Sequence, residues 1–160
     1  MLIEYIPTYK YFSSYITFLP TDSILDFGSN CGNLLKSGDI TPCKYIGIDV
    51  DAEAIGEGSR LFPDASWIWY NRHNPVYNPQ GTDAYPALDT AVDLVVSYSV
   101  FSHIDADDAL DLLEFLYDHL IDGGKILFSY CNVDNRQCVE WFRSRRIDCD
   151  EIPNQDIVYL

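Results

Sequence analysis

Ile24-Leu25-Asp26-Phe27-Gly28-Ser29-Asn30-Cys31-Gly32-Asn33 is a short apolar run that breaks into a glycine turn, with one acid just before the break. The run reads as a buried strand and the turn as the opening of a helix. At such a junction an α/β sheet presents backbone N–H groups to a ligand. Gly28 and Gly32 permit positive φ and leave room where a Cβ would intrude on a ligand. Asp26 carries the most information. A carboxylate there suits a ligand with a cationic amino group and repels a dinucleotide pyrophosphate. The glycine spacing agrees: G-x-G-x-x-G is absent and the pattern is D-x-G-x-N-x-G.

The chain of 160 residues predicts one domain, long enough to bury about two thirds of its unfolded surface. Lys plus Arg total 10 against 25 Asp plus Glu, a formal charge of −15, so most of the surface repels a phosphate backbone. The local exception, Arg143, Arg145 and Arg146, reads as a solvated helix end. Cys31, Cys43, Cys131, Cys138 and Cys149 are odd in number and lack C-x-x-C spacing, which disfavours a disulfide framework and a zinc site. They read as reduced thiols and no metal is expected. The N-terminus lacks a signal pattern and no run approaches the ~18 apolar residues of a membrane span. The expectation is a soluble, cytoplasmic protein.

Working outward, residues 1–20 hold Tyr5, Tyr9, Tyr11, Phe12, Tyr15 and Phe18, read as a short helix packed before the first strand. Its tyrosines are also candidates to wall a cationic ligand. After the turn, Leu34 and Leu35 start a helix that Gly38 and Pro42 stop. Lys44–Asp51 is a second strand ending in acid, joined to the first as a βαβ unit. Asp49 stands roughly 20 residues after Gly28, the distance at which a carboxylate accepts from ribose hydroxyls. Asp51 is the better N-cap for a helix over 52–61, which leaves Asp49 free. A third strand lies in the middle of 62–74, and 75–86, with Gly81 and prolines at both ends, is a loop.

Residues 91–104 make a fourth strand and its exit. Residues 105–121 make the clearest helix, with Leu110, Leu113, Tyr117 and Leu120 at helical spacing and Leu116 widening the stripe. Asp122-Gly123-Gly124-Lys125 reads as a helix stop leading into a fifth strand, 126–130. A helix near 134–146 and strands near 147–152 and 156–160 complete the sheet.

These motifs, in this order over residues 20–130, resemble the class I S-adenosylmethionine-dependent methyltransferases. Asp26, Gly28 and Gly32 match the family's D/E-x-G-x-G-x-G, with Asn30 in the middle-glycine position, where a small polar residue able to turn left-handed can stand. Phe62-Pro63-Asp64-Ala65 and Tyr77-Asn78-Pro79-Gln80-Gly81 are similar to its F-P-x-A and Y-N-P-x-G segments, and Ala91–Ile104 to D-h-V-h-x-x-x-V-h-x-H-h. Asp122–Lys125 resembles L-x-P-G-G with an acid where proline is usual.

The resemblance implies an α/β, Rossmann-like, doubly wound and mostly parallel sheet of about seven strands with an antiparallel closing strand. It implies a cofactor-binding core over 21–130, preceded by the aromatic segment and followed by a helix and closing strands over 131–160. It implies S-adenosyl-L-methionine as cofactor and S-adenosyl-L-homocysteine as product. The turn at 28–32, with Gly28, Ser29, Asn30 and Gly32, then holds the methionine part beside Asp26; Asp49 holds the ribose; and Val50, Asn71 and Arg72 hold the adenine. Asn71 replaces the family's acid, and its amide oxygen can still accept from the adenine amino group. Ser97 and Ser99 lie beside the transferring methyl.

His103 is either a general base facing the acceptor or a residue that holds its turn by hydrogen bonding. The acceptor is expected to be a small molecule or a protein side chain, with the loop 74–90 and its Tyr77 and Tyr85 as the wall, and neither nucleic acid nor membrane as partner. Two readings compete: a cofactor-binding or scaffold domain without turnover, and an aminopropyl-type transfer on the same fold. The second wants an acid-rich amine pocket after strand four, which Ser97-Tyr98-Ser99 does not provide.

Overall fold

The computed structural model describes residues 8–37, 39–74, 77–82, 85–101, 104 and 106–130. Among the described residues five strands form one sheet: β1 (Ile24–Phe27), β2 (Tyr45–Asp49), β3 (Ser66–Trp69), β4 (Val92–Ser97) and β5 (Leu120–Phe128). They lie in the order β3-β2-β1-β4-β5, every neighbouring pair parallel. The chain runs from β1 out to β3 and then returns to the other side of β1 as β4. This reversal beside β1 is the switch point where open α/β sheets bind ligands, beyond the carboxyl ends of the strands.

β1 is buried throughout, and its alternation feeds both faces of the sheet. Leu25 and Phe27 pack with Ile48, Val95, Leu112 and Leu116. Ile24 joins Phe12, Leu34, Tyr45, Leu94 and Val96 on the other face, which is therefore also the face of Asp26. Helix α1 (Thr8–Phe12) and the 3-10 turns Leu35–Ser37 and Pro42–Lys44 belong to this second layer. The helix expected after the glycine turn is thus a single 3-10 turn.

Helix α2 (Ala52–Leu61) has the expected limits, with the Asp51 carboxylate accepting from the Glu53 and Ala54 N–H groups. Its unfavourable Gly58 has a packing reason: a Cβ there would stand 2.5 Å from the Trp67 ring, and one on Gly47 would stand 2.6 Å from it. The indole of β3 lies in a trough cut by these glycines and donates from Nε1 to the Phe62 carbonyl at 3.1 Å.

Helix α3 (Ala106–Tyr117) is shorter than the expected 105–121 and presents a different row of residues to the sheet. Ala109, Leu112 and Leu116 are buried, whereas Leu110 is 66% and Tyr117 71% exposed. The acids account for this. Asp107, Asp111, Glu114 and Asp118 are exposed and centre on the face opposite Ala109, Leu112 and Leu116 at 3.6 residues per turn.

The chain then enters β5 at Leu120 instead of 126. Val92 pairs with Leu120 and Leu94 with Lys125, so two steps along β4 are matched by five along β5. Asp122-Gly123-Gly124 is therefore a bulge inside the strand, with Gly123 at φ +80. The expected helix at 134–146, the strands at 147–152 and 156–160, the antiparallel closing strand and Arg143, Arg145 and Arg146 lie outside the described residues. No helix among the described residues is long and apolar enough to cross a membrane.

Candidate functional site

A cavity of about 620 Å³ opens at the carboxyl ends of β1, β2 and β4 and extends along the loop after β3 to α3. Asp26, Gly28, Ser29, Asn30, Asp49, Val50, Arg72 and Ser99 all line it. Gly32, Asn71 and Ser97 do not, and His103 lies outside the described residues.

The turn after β1 has three left-handed residues, Gly28 at φ 78, Asn30 at φ 50 and Gly32 at φ 83. Asn30 thus adopts the conformation expected of it. The N–H groups of the turn, expected to face a ligand, are committed to protein acceptors. Gly28 and Ser29 donate to the Ile48 carbonyl at 2.8 and 3.0 Å, and Gly32 donates to the Ser29 carbonyl at 3.0 Å. Cys31 donates to the Asn30 side chain at 2.8 Å. The glycines likewise leave room for protein: a Cβ on Gly28 would come within 2.2 Å of Val100 Cγ2, and one on Gly32 within 2.9 Å of Trp67. What the turn presents to the cavity is its shape, with the Asp26 and Asp49 carboxylates beside it.

Asp49 holds that shape. Its Oδ2 accepts from the Asn30 N–H at 2.8 Å and its Oδ1 from the Asp51 N–H at 2.9 Å. Burial raises its pKa while these two N–H groups oppose the rise. A carboxylate has about four lone-pair sites, so two hydroxyls can still be accommodated. Asp26 is only 2% exposed. Its Oδ2 accepts from the Tyr45 hydroxyl at 2.6 Å, and no ion pair among the described residues involves it. Burial pushes its pKa up to about 7; the Tyr45 hydrogen bond pulls down and the Asp49 charge adds to the rise. Tyr45, buried beside both acids, has its own pKa pushed well above the phenol range, burial first and Asp26 second.

The opposite wall is aromatic and cationic. The Arg72 guanidinium lies 4.4 Å from the Tyr85 ring centroid and pairs with Asp108 at 2.5 Å. Tyr85 also stacks on Phe115, with centroids 4.6 Å apart and planes 10° apart. Tyr70, whose pKa burial raises, and Tyr77 also line this side.

The loop carrying Arg72 is tied back on itself. Asn78 Nδ2 donates to Asn71 Oδ1 at 3.1 Å and to the Arg72 carbonyl at 3.0 Å, and His73 N–H donates to the Thr82 carbonyl at 2.6 Å. A Cβ on Gly81 would stand 2.3 Å from the Arg72 carbonyl, which accounts for glycine at the end of Tyr77-Asn78-Pro79-Gln80-Gly81. The Asn71 amide is thereby turned to its own loop.

Tyr77 and Tyr85 line the cavity as expected of the loop 74–90. Tyr9, Tyr11 and Tyr15 do not; Tyr11 reaches it indirectly, its ring 5.2 Å from that of Tyr98, and Tyr98 is a lining residue. At the end of β4, Ser97 Oγ is fully buried without a hydrogen-bond partner. Ser99 sits at φ 62, its N–H donating to Ser129 Oγ at 2.7 Å. Tyr45, Tyr70, Tyr98 and Asp108 were missed in the sequence. Tyr45 alone left a trace, as a polar-tipped ring in an otherwise aliphatic strand.

A family profile described as methyltransferase domain matches residues 4–154. The chain belongs to the methyltransferase-domain family. The resemblance to class I S-adenosylmethionine-dependent methyltransferases is thereby borne out, and the five-stranded parallel sheet is that fold.

Among solved structures, this methyltransferase domain is similar to a TehB-like SAM-dependent methyltransferase from Corynebacterium glutamicum: 20% identity, TM-score 0.55, 78% of this chain and 61% of that one. It is also similar to the glycopeptide N-methyltransferase MtfA complexed with S-adenosyl-L-homocysteine: 17% identity, TM-score 0.57, 76% of this chain and 51% of that one. A third similarity is to the DhpI-SAM-HEP complex: 19% identity, TM-score 0.53, 74% of this chain and 50% of that one. The domain thus spans about half to three fifths of the length of these proteins. No curated protein matches the sequence.

Proposed function

We propose that this domain binds S-adenosyl-L-methionine and catalyses transfer of its methyl group to a small molecule or a protein side chain. The observation that carries this reading is Asp26, a carboxylate 2% exposed that borders the cavity with a neutral phenol as hydrogen-bond partner. Burying such a charge is costly unless an opposite charge reaches it. A ligand amino group supplies that charge, and Asp49 beside it has lone pairs left for a ribose.

The residues fit the cofactor in parts. Gly28, Ser29 and Asn30 shape the wall beside its methionine end, with Gly32 keeping the turn closed against Trp67. Asp49 takes the ribose. Val50 and Arg72 take the adenine with Tyr70 and Tyr85 as neighbouring rings, and Asn71 contributes through the loop that it and Asn78 hold together. Ser99 stands at the end of β4 where the methyl is directed, with Ser97 buried behind it.

When bound, the cofactor supplies a methyl group already made electrophilic by its sulfonium. The chain's task is then orientation, from which about 7–11 kcal/mol of a barrier can come. His103 serves as base where the acceptor must first lose a proton. The excess of 25 acidic over 10 basic residues favours a compact acceptor over a polyanion. The test is incubation with S-adenosyl-L-methionine and a panel of amine, hydroxyl and peptide acceptors, with S-adenosyl-L-homocysteine as readout. Product that depends on an acceptor and is lost in Asp49→Ala supports the reading. Binding without product across the panel would favour a cofactor-binding domain without turnover.

A further inference from the structure

Tyr45 is a fully buried side chain whose hydroxyl reaches Asp26, a residue that lines the cavity, and the proposed transfer reaction gives it no role. It begins β2 on the same face as Asp26, packs its ring 5.6 Å from that of Trp67, and is 1% exposed. Its hydroxyl donates to Asp26 Oδ2 at 2.6 Å. We propose that Tyr45 is a positioning residue for the cofactor's amino-acid end: its hydroxyl fixes one oxygen of Asp26, leaves the other for a ligand ammonium, and favours the charged carboxylate. Uptake of that ammonium then displaces a proton from the acid. This inference rests on the cofactor reading above.

The groups that bear on Asp26 are few. From β2 come Tyr45 and the Asp49 carboxylate, and the glycine turn adds the Ser29 hydroxyl, the other hydrogen-bonding neighbour of the phenol. β4 places Val96 opposite, and the layer on this face, Phe12, Leu34 and Leu35, is apolar. Desolvation and Asp49 therefore favour the neutral acid, and Tyr45 is the protein group that opposes them. The phenol can do so throughout the usable pH range because it is itself held protonated well above neutrality. A fixed donor stabilises a carboxylate over the corresponding acid. The carboxyl thus stays poised near neutral pH, at about 7, where a cationic ligand can complete its ionisation.

The experiment is calorimetric titration of the full chain with S-adenosyl-L-homocysteine from pH 5.5 to 8.5, in buffers of differing ionisation enthalpy so that released protons are counted. Wild type should bind more tightly as pH rises to about 7 and then level off, releasing a proton in the acid range and none at the alkaline end. Adenosine, which lacks the amino-acid end, should show neither effect. Tyr45→Phe should move the rise to higher pH and weaken binding at pH 6 by about tenfold, the worth of one hydrogen bond to a charged group. The two proteins should converge as pH rises.

Asp26→Asn should bind weakly and independently of pH. A uniform loss across pH in Tyr45→Phe, or an unchanged profile, would reduce Tyr45 to a packing residue. If that variant does not fold, the proton count on wild type decides, since binding at pH 6 without proton release overturns the proposal. Absence of S-adenosyl-L-homocysteine binding at every pH would instead overturn the cofactor reading itself.

Discussion

On the β1–β2 side of the cavity, polar atoms are held by the backbone: Asp49 takes the Asn30 and Asp51 N–H groups and Ile48 takes those of Gly28 and Ser29. On the β3–α3 side, Arg72 is held by the face of Tyr85 and by a carboxylate 44% exposed. A shift of the first wall breaks several backbone hydrogen bonds at once, that of the buried Ser29 N–H among them. On the second the loop backbone is tied back on itself, while the Arg72 side chain meets the cavity through stacking and a partly solvated ion pair, interactions of modest worth. In the proposed function the β1–β2 wall takes the sugar and the amino group, and the β3–α3 wall lends an aromatic surface.

The largest effect should come from disturbing the β1–β2 wall. Gly28→Ala forces a Cβ to within 2.2 Å of Val100 at φ +78, and denaturant unfolding should show a loss of about 2–4 kcal/mol. Equal stability would mean the turn is adaptable.

Next is the buried charge. Asp26 has a folded pKa of about 7 against an unfolded value near 4, so the folded protein keeps the proton longer. Its unfavourable contribution is absent below about pH 4, grows as pH rises, and is complete above about 7. Asp26→Asn should therefore gain ~2–4 kcal/mol over wild type at pH 8 and little at pH 4. A constant difference between the two stability curves would contradict a buried, unpaired carboxyl.

Asp49→Ala should weaken S-adenosyl-L-homocysteine binding by about 1–3 kcal/mol and also cost some stability, since Asn30 loses its acceptor. A binding loss without any stability loss would show that the turn stands without Asp49. The smallest effect belongs to the β3–α3 wall. A double-mutant cycle on Arg72 and Asp108 should give a coupling of about 0.5 kcal/mol, reduced by salt. A coupling several times larger would make the two walls alike.

The same contrast separates what was legible in the sequence from what was not. The acid before the glycine turn, the left-handed Asn30, the Asp51 cap and the limits of α2 follow from neighbours along the chain, and the structure has them as read. Asp49 is free of the helix cap, as the sequence reads, and the structure adds that its Oδ2 holds the glycine turn through Asn30 and its Oδ1 the Asp51 N–H, a contact that forms only where strand end and loop meet in the fold. Tyr45 and Asp26 are 19 residues apart, and Arg72 and Asp108 are 36 apart. No local pattern announces either pair.

On α3 the Leu110 row and the Leu112 row both satisfy the helical period, and the acids opposite Leu112 were the signal that settles it. The double glycine at 123–124 reads as a helix stop, but glycine at positive φ serves a strand bulge as well. β4 decides, because its Val92 pairs with Leu120 before the glycines are reached.

Selection of an adenosyl amino acid, through its ammonium, over a dinucleotide by the acids at the ends of β1 and β2 can be read by competitive calorimetry. S-adenosyl-L-homocysteine should bind with a Kd of about micromolar order, near −8 kcal/mol, and NAD at equal concentration should leave that value unchanged. NAD binding more tightly than S-adenosyl-L-homocysteine would contradict the account.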